Sequence, residues 1–372
     1  MRFRSTVAVR SGVGLTALVW VLGAAVPVRG QLVNLTALTQ QFGFSSYEAG
    51  PATLNGFGQV AFNVEIRDSP RGERTAVFYG GHGDLRLIRA EGVEGTSVAF
   101  GLNDGGTVVG ALTTAEGERA FRFTAVDGLN WLFADTAVPS VALRIDNAGR
   151  ILGVDTNGFG QPVRYWLLEG GVRTDLDDWF AGDCVGLDLS PGGLLLVRRE
   201  NSHLIYDLNT STITPLPDLD RVGVGAVVND GGDVGGLDFD GAPLAFVGGR
   251  LQVARQGVGS THTIETISDG GVLGGSVFSD EAGLYGIVVE NGIRRYLDDI
   301  LEKDYRRPDL TGSYVVHDFN ARGQMVGTVR DGQVYLFTPV PEPGAFGVAS
   351  LVMVGAVIVS SRRRRGVAPG RG

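Results

Sequence analysis

The stretch that decides the fold is LNDGGTVVGAL, which runs from Leu102 to Leu112. Its first five residues join an apolar residue to Asn, Asp and two glycines. These residue types supply the positive backbone φ angles that a short hairpin turn needs. The residues after the turn are mostly apolar and partly β-branched, as in a strand. The stretch therefore predicts a β-hairpin.

This turn phrase occurs seven times: an apolar residue, then Asn, Asp or Ser, then a short turn that ends in Gly before an apolar strand. The final glycines are spaced by 48, 43, 44, 39, 39 and 52 residues. A period near 40 to 45 residues is typical of propeller blades. The seven copies begin at Leu54, Leu102, Ile145, Leu189, Val228, Ile267 and Phe319.

Each repeat except the last contains four short apolar runs with period-two alternation. In the second copy these runs are SVAFGLN, TVVGAL, RAFRFT and LNWLF. We therefore predict an all-β fold over residues 31–339, a β-propeller-like ring of seven four-stranded repeats. Between the two ends, only residues 294–303 show a weak helical period. An open stack of sheets and two smaller propeller-like parts are the alternatives.

The last repeat has three strands and then runs into the tail at Pro339. A spare strand, LVNLTAL, lies at Leu32 to Leu38, before the first repeat. An N-terminal strand that completes the last blade joins the chain ends and removes an exposed sheet edge. We therefore predict that Leu32 to Leu38 closes the ring.

Residues 1–30 have the three parts of a secretory signal peptide. Three arginines at positions 2, 4 and 10 precede an uncharged apolar run, and small residues follow it. We predict that signal peptidase cleaves between Gly30 and Gln31. A retained membrane anchor is the alternative.

Residues 340–372 form a tail of three parts. Val340, Pro341, Glu342 and Pro343 make a short motif, and residues 344–361 are uncharged and apolar. This apolar stretch is about 18 residues long, near the lower limit for a transmembrane helix, which we predict here. Four arginines then open a basic end at residues 362–372 and would hold it on the cytoplasmic side. They are Arg362, Arg363, Arg364 and Arg365.

The order of motif, apolar span and arginines resembles the PEP-CTERM sorting signal. That resemblance implies an exported protein of a Gram-negative bacterium that makes extracellular polysaccharide. It also implies an exosortase-type membrane enzyme that cuts near Glu342 and passes the protein to the cell surface. The tail would hold the chain in the membrane only before this processing.

The repeats resemble the HAF repeats of bacterial extracellular proteins, which combine an Asn-Asp-x-Gly turn, a Val-Val-Gly strand and a His-Ala-Phe strand. Here the last element appears as Arg119-Ala120-Phe121 and Leu244-Ala245-Phe246, without the signature His. The likeness covers residues 54–338. It implies no catalytic activity.

Charge and cysteine content narrow the classes of partner. Residues 1–30 and 344–372 together contain nine arginines and no acid, so residues 31–343 have 23 basic and 41 acidic residues. This balance argues against nucleic acid and anionic lipid as partners. Cys184 is the only cysteine, so no internal disulfide forms. Its thiol is expected to be a buried small hydrophobe.

No catalytic motif stands out. The four histidines lie at positions 82, 203, 262 and 317, none at metal-ligand spacing from another, so we expect them at the surface or in packing contacts. Asp238 and Asp240 resemble part of a calcium loop but lack its other ligands. They are weak calcium candidates, and no other cofactor is predicted.

These observations favour a non-catalytic protein of the cell surface or extracellular matrix that binds exopolysaccharide or a protein partner. The alternative is a propeller enzyme, a lyase or a glycoside hydrolase acting on polysaccharide. That alternative predicts carboxylates with an Arg or a His at one mouth of the ring. Ice binding is disfavoured because the chain has only one dense run of Thr, at residues 210–214.

Overall fold

The structure is a computed structural model. It describes two short segments near the N-terminus and most of residues 31–339. The described ranges are 7–10, 16–19, 31–42, 46–66, 75–81, 84–88, 95–114, 117–133, 138–157, 160–216, 219, 225–238, 240–253, 260–279, 283–303, 315–329 and 332–339.

The chain divides into two compact units. Residues 1–30 and 340–372 belong to one unit, in which β1 (Val7–Arg10) and β2 (Thr16–Val19) pair antiparallel. Residues 31–339 form the other. Among the described residues, no helix is long and apolar enough to cross a bilayer. The predicted transmembrane helix at 344–361 lies outside those residues.

The second unit begins with β3 (Gln31–Asn34) and then folds into sheets of four antiparallel strands, which we call blades. Blade 1 contains β4 (Ser46–Leu54), β5 (Val60–Ile66), β6 (Thr75–Gly81) and β7 (Asp84–Ile88). Blade 2 contains β8 (Thr96–Leu102), β9 (Val108–Thr114), β10 (Gly117–Thr124) and β11 (Gly128–Trp131). Blade 3 contains β12 (Ser140–Ile145), β13 (Ile151–Thr156), β14 (Pro162–Glu169) and β15 (Val172–Asp175).

The remaining blades follow the same plan. Blade 4 contains β16 (Cys184–Leu189), β17 (Leu194–Arg199), β18 (Ser202–Asp207) and β19 (Thr212–Leu216). Blade 5 contains β20 (Val227–Val228), β21 (Val234–Leu237), β22 (Pro243–Val247) and β23 (Arg250–Val253). Blade 6 contains β24 (Ser260–Ile267), β25 (Leu273–Ser279), β26 (Gly283–Glu290) and β27 (Ile293–Tyr296). Blade 7 contains β28 (Val315–Phe319), β29 (Met325–Val329) and β30 (Gln333–Thr338).

The blades are arranged in a ring. The first strand of each blade contacts the first strand of the next, and β28 of blade 7 contacts β4 of blade 1. Within blades 1 to 6 the strands follow one another in chain order, so the fourth strand lies at the outer edge. Four-stranded sheets arranged radially in this way define a seven-bladed β-propeller.

Strand β3 is the fourth strand of blade 7. It pairs antiparallel with β30, with Gln31 opposite Thr338 and Asn34 opposite Tyr335. The predicted strand at Leu32 to Leu38 is too long, because helix α1 (Leu35–Thr39) begins directly after Asn34 and a 3-10 turn covers Gln40–Phe42. The Asn34 side chain caps this helix by accepting a hydrogen bond from the backbone N–H of Ala37 at 2.8 Å.

Two further short helices also follow fourth strands, although the sequence predicted helix only weakly over 294–303. They are α2 (Leu176–Phe180) after β15 and α3 (Leu297–Lys303) after β27. Each opens with a fully buried Leu and two Asp residues, which favour a helix N-terminus. Because α2 has only five residues, it shows no helical period in the sequence.

The apolar core lies between neighbouring blades. Phe62 and Phe78 of blade 1 pack with Val326 and Val334 of blade 7, and Leu35 of α1 joins them; all five are fully buried. Similar clusters fill the spaces between most of the other blades. Since about 25 cal/mol is gained for each Å² of apolar surface buried, packing between blades stabilises the ring without disulfides.

A β-bulge interrupts the first strand of five blades at the same position, and the first strand of blade 1 shifts register at two other places. The extra residue lies three positions before the polar residue of the turn phrase, and a bulge bends its strand and redirects nearby side chains. The bulged residues are Phe100, Leu143, Leu187, Glu265 and His317.

Candidate functional site

The turn phrase has the same local structure in all seven blades. The side chain of its polar residue accepts a hydrogen bond from the backbone N–H four residues later, as Asn103 does from Thr107 at 2.9 Å. The glycine before that strand has a positive φ, such as +73° at Gly106. This agrees with the turn chemistry predicted from the sequence.

Where the polar residue is Asn, its amide group also reaches the next blade. The Nδ2 atom of Asn55 donates to the backbone oxygen of Asn103 at 3.0 Å, and that of Asn103 donates to Asp146 at 3.0 Å. The same bond joins Asn229 to the next turn at 2.7 Å. Asn320 of blade 7 donates back to Asn55 of blade 1 at 2.9 Å. We call these four Asn residues the amide belt.

Blade 3, which has Asp at this position, is linked differently. Asp146 is fully buried and pairs with Arg150, whose guanidinium also donates to Asn209 of blade 4 at 2.8 Å. The backbone N–H of Asn147 donates to the backbone oxygen of Pro191 in blade 4 at 2.8 Å. Each connection again joins one turn to a neighbouring blade.

The innermost strands and their turns enclose a central cavity of about 370 Å³, which we call the lumen. Each blade contributes the residue two positions before its turn-phrase polar residue. These seven lumen residues are Thr53, Gly101, Arg144, Asp188, Val227, Thr266 and Asp318. The repeats are therefore equivalent in backbone but not in the chemistry that they present to the lumen.

Asp318 joins three blades. Its carboxylate accepts from the backbone N–H of Leu54 at 2.8 Å and the hydroxyl of Thr53 at 3.2 Å, both in blade 1. It also accepts from the hydroxyl of Thr266 in blade 6 at 3.0 Å and from the N–H of Phe319 at 2.8 Å. Burial raises the pKa of Asp318 although these hydrogen bonds oppose the shift.

Asp188 joins blades 3, 4 and 5. One of its oxygens accepts from Nε of Arg144 at 2.8 Å, and the other accepts from the backbone N–H of Val228 at 2.9 Å. Arg144 also donates through Nη1 to the backbone oxygens of Phe100 and Leu143, at 3.1 and 3.0 Å. Burial opposes its charge, but attraction to Asp188 and to two further acids outweighs burial and raises the pKa of Arg144.

Glu265 and His317 also line the lumen, at the bulges of blades 6 and 7. The Glu265 side chain is exposed and makes no hydrogen bond or ion pair with a described residue. His317 contacts the hydroxyl of Thr328 through Nε2 at 2.8 Å. Burial lowers the pKa of His317 to about 4, so its imidazole is neutral at pH 7.

The calcium candidates lie in the turn between β21 and β22. Asp238 uses one carboxylate oxygen to accept from the N–H groups of Asp240 at 3.0 Å and Ala242 at 2.7 Å. Across the described part of the chain, no group of three or more His, Cys, Asp or Glu side chains could hold a metal ion. The calcium site therefore remains a prediction.

The other singled-out side chains lie apart from the lumen. Cys184 is buried, and burial raises the pKa of its thiol. Trp166 is fully buried and donates from its indole to Asp155 at 3.1 Å. His262 is buried between the backbone oxygen of Gly241 and the guanidinium of Arg294.

The sorting motif Val340 to Pro343, Arg362 to Arg365, Gly30 and His82 lie outside the described residues. Gln31, the predicted new N-terminus, is the first residue of β3.

Sequence reasoning missed the lumen residues and the inter-blade role of the amide belt. The spacing of the turn phrase could have revealed the lumen residues, because each of them stands two positions before the polar residue of its turn phrase. With five different residue types among the seven copies at that position, however, no pattern marks it. Local turn chemistry explained the Asn residues fully, so nothing in the sequence indicated a second contact.

Comparisons with known proteins identify no family for this chain. No protein-family model and no curated protein matches the chain. Among solved structures, virginiamycin B lyase from Staphylococcus aureus is similar at 11% identity and a TM-score of 0.49, over 83% of this chain and 99% of that one. YCF48 bound to D1 peptide is similar at 10% identity and a TM-score of 0.48, over 83% and 96%. TolB from Acinetobacter baumannii is similar at 14% identity and a TM-score of 0.38, over 83% and 78%.

Proposed function

We propose that this chain is an exported, exosortase-sorted, non-catalytic β-propeller of the cell surface or extracellular matrix that binds exopolysaccharide. The observation that supports a non-catalytic role is that the lumen carboxylates are engaged in contacts between blades. Asp318 accepts four hydrogen bonds, three of them from neighbouring blades, and Asp188 is held by Arg144 and Val228. Carboxylates fixed in this way hold blades together and are poorly placed to transfer protons.

The predicted terminal segments support export and sorting to the cell surface. A signal peptide with cleavage after Gly30 directs export, and the apolar span before Arg362 holds the chain in the membrane until processing near Glu342. The expected partners are signal peptidase, an exosortase-type enzyme and extracellular polysaccharide.

The proposal includes ring closure by the N-terminal strand. Gln31, the predicted first residue of the mature chain, pairs with Thr338, one residue before the repeat domain ends at Pro339. Both processed ends would then leave the propeller at blade 7. The amide belt contact from Asn320 to Asn55 supports the same junction.

Two experiments test this function. Full-length chain purified in mild detergent is applied to a glycan array, and binding to bacterial exopolysaccharides is expected. In the native host, a tagged chain is expected at the cell surface, and Glu342→Ala is expected to keep it in the membrane fraction. Absence of all glycan binding, or surface delivery unaffected by Glu342→Ala, contradicts the respective part.

A polysaccharide-acting enzyme is the second candidate, favoured by one observation. Glu265 is an exposed carboxylate in the same cavity as neutral His317 and Arg144, which is the combination that this alternative predicts. Incubation with polysaccharides tests it by measuring new reducing ends for a hydrolase, or absorbance of unsaturated uronates for a lyase. Turnover that is lost in Glu265→Gln would replace the non-catalytic proposal.

A further inference from the structure

The lumen has the size and mixed surface of a small-ligand site. Its volume of about 370 Å³ lies within the range of roughly 300 to 1,000 Å³ that such sites occupy. Phe100 and Phe319, both partly buried, contribute aromatic surface to its wall. The C–H face of a sugar ring can pack on such a surface while its hydroxyls face polar groups.

Two polar groups in the lumen keep free hydrogen-bonding capacity. The Glu265 carboxylate has no hydrogen-bond partner among the described residues, and it is exposed. Arg144 uses Nε and Nη1 within the protein, whereas its Nη2 donates to no described residue. The two charges attract each other across the ring, from blades 3 and 6. A hydroxyl both donates and accepts, so adjacent hydroxyls of one sugar can meet an acceptor and a donor together.

The charge of the lumen limits the kind of sugar. One Arg faces six carboxylates in the lining, and His317 is neutral at pH 7. A cavity lined mainly by one sign of charge focuses its field on the ligand. An acidic glycan would therefore be repelled. The lining carboxylates belong to Asp104, Asp188, Asp230, Glu265, Asp269 and Asp318.

We propose that the lumen binds a glycan without carboxylate, sulfate or phosphate groups, and that Glu265 is the hydrogen-bond acceptor for its hydroxyls. This inference rests on the proposed function and adds the site and the class of glycan. Neutral sugars and amine-bearing sugars both fit it, the latter more tightly because of the charge.

Titration calorimetry of the full-length chain in mild detergent tests the inference with four probes. These are cellotetraose, tetraglucosamine, tetragalacturonate and, as a basic peptide, tetralysine. We expect tetraglucosamine to bind at least as tightly as cellotetraose, and tetragalacturonate to bind at least tenfold more weakly.

Two variants locate the site. Glu265→Gln removes the charged acceptor and is expected to weaken cellotetraose about tenfold, since a hydrogen bond to a charged group contributes about that factor. Glu290→Gln removes the same charge from the exposed end of β26 in the same blade and is expected to leave affinity unchanged. Equal melting temperatures of both variants and the parent chain confirm that the fold is intact.

The outcomes separate this inference from the proposed function. Tetragalacturonate binding as tightly as cellotetraose refutes the class of glycan, and equal affinities of the two variants refute the lumen site. In both cases exopolysaccharide binding stands. Binding of tetralysine without any sugar binding would overturn the inference in favour of a basic peptide. No binding to any glycan, here or on the array, overturns the proposed function as well.

Discussion

Asn320 tests the amide belt at the junction of blades 7 and 1. Its Oδ1 accepts from the backbone N–H groups of Arg322 and Gln324, both at 3.0 Å. Its Nδ2 donates to the backbone oxygen of Asn55 at 2.9 Å, and both Asn residues are buried, with exposures of 7% and 3%. Asn320→Asp keeps the two contacts to backbone N–H groups, loses the Nδ2 donor that also reaches Oε1 of Gln324 at 2.8 Å, and places a carboxylate oxygen against that carbonyl.

The contacts of Asn320 determine how much free energy of unfolding each variant should lose, and which variant should lose more. Loss of a buried donor that leaves its partner unsatisfied costs about 1 to 3 kcal/mol. An uncompensated buried charge raises this to about 3 to 5 kcal/mol. Asn320→Ser should cost only about 1 to 2 kcal/mol, because a Ser hydroxyl serves the turn in the same way at Ser190 and Ser268.

Urea unfolding followed by tryptophan fluorescence measures both variants against the parent chain. The introduced carboxyl is buried beside a carbonyl oxygen, so its folded-state pKa lies above its unfolded value. Its penalty is therefore small at acid pH, where it is protonated and can donate, and grows as pH rises through that raised pKa.

A control and a refuting result complete the test. Asn291→Asp makes the same change in an exposed hairpin turn of blade 6 and should alter stability by less than about 0.5 kcal/mol. If Asn320→Asp is no more destabilising than Asn320→Ser at pH 7, the inter-blade contact contributes little and the role of the amide belt is wrong.

Three further predictions concern other parts of the propeller. Deletion of Gln31–Asn34 should lower the free energy of unfolding by on the order of 4 kcal/mol, through lost ladder bonds and apolar burial; urea unfolding with unchanged stability would show that the strand does not close the ring. His317 has a folded pKa of about 4, below its usual 6.5, so its contribution to the free energy of unfolding is complete above pH 6.5 and is lost as pH falls towards 4. Between pH 6.5 and 4, His317→Gln should reduce the pH-dependent change in the free energy of unfolding by up to about 3 kcal/mol. Unfolding curves check this, and the same pH dependence in the variant and the parent chain would contradict the lowered pKa. Cys184 should react with a thiol reagent only after urea unfolds the chain, because the folded thiol is buried; reaction at native rates typical of free cysteine would contradict its placement.

The turn phrase accommodates Asn, Asp or Ser, but these residues differ in how they link neighbouring blades. All three side chains accept the turn N–H, as seen at Asn103, Asp146 and Ser190. Only Asn donates to the next blade, and Asp146 relies on Arg150 for its connection. Stabilising the local hairpin turn and linking neighbouring blades are thus two separate requirements at the polar position of the turn phrase.

The sequence by itself determined the repeat number, the four strands of each blade and the glycine turns. These follow from local chemistry: period-two alternation marks a half-buried strand, and Asn, Asp and Gly adopt the turn angles wherever they occur. The same logic predicted a strand near Leu32, but it extended this strand into α1, because five residues are too few to show a helical period.

Only the tertiary structure decided which side chains face the lumen. A bulge arises from the pairing of two strands, so the shift that separates Glu265 from Thr266, or His317 from Asp318, is not present in either strand alone. Two of the four hydrogen bonds that Asp318 accepts come from residues 264 and 265 positions away in the chain. A sequence read along its length shows 41 acidic residues, and only closure of the ring separates Asp188 and Asp318, which join blades, from Glu265, which makes no hydrogen bond with a described residue.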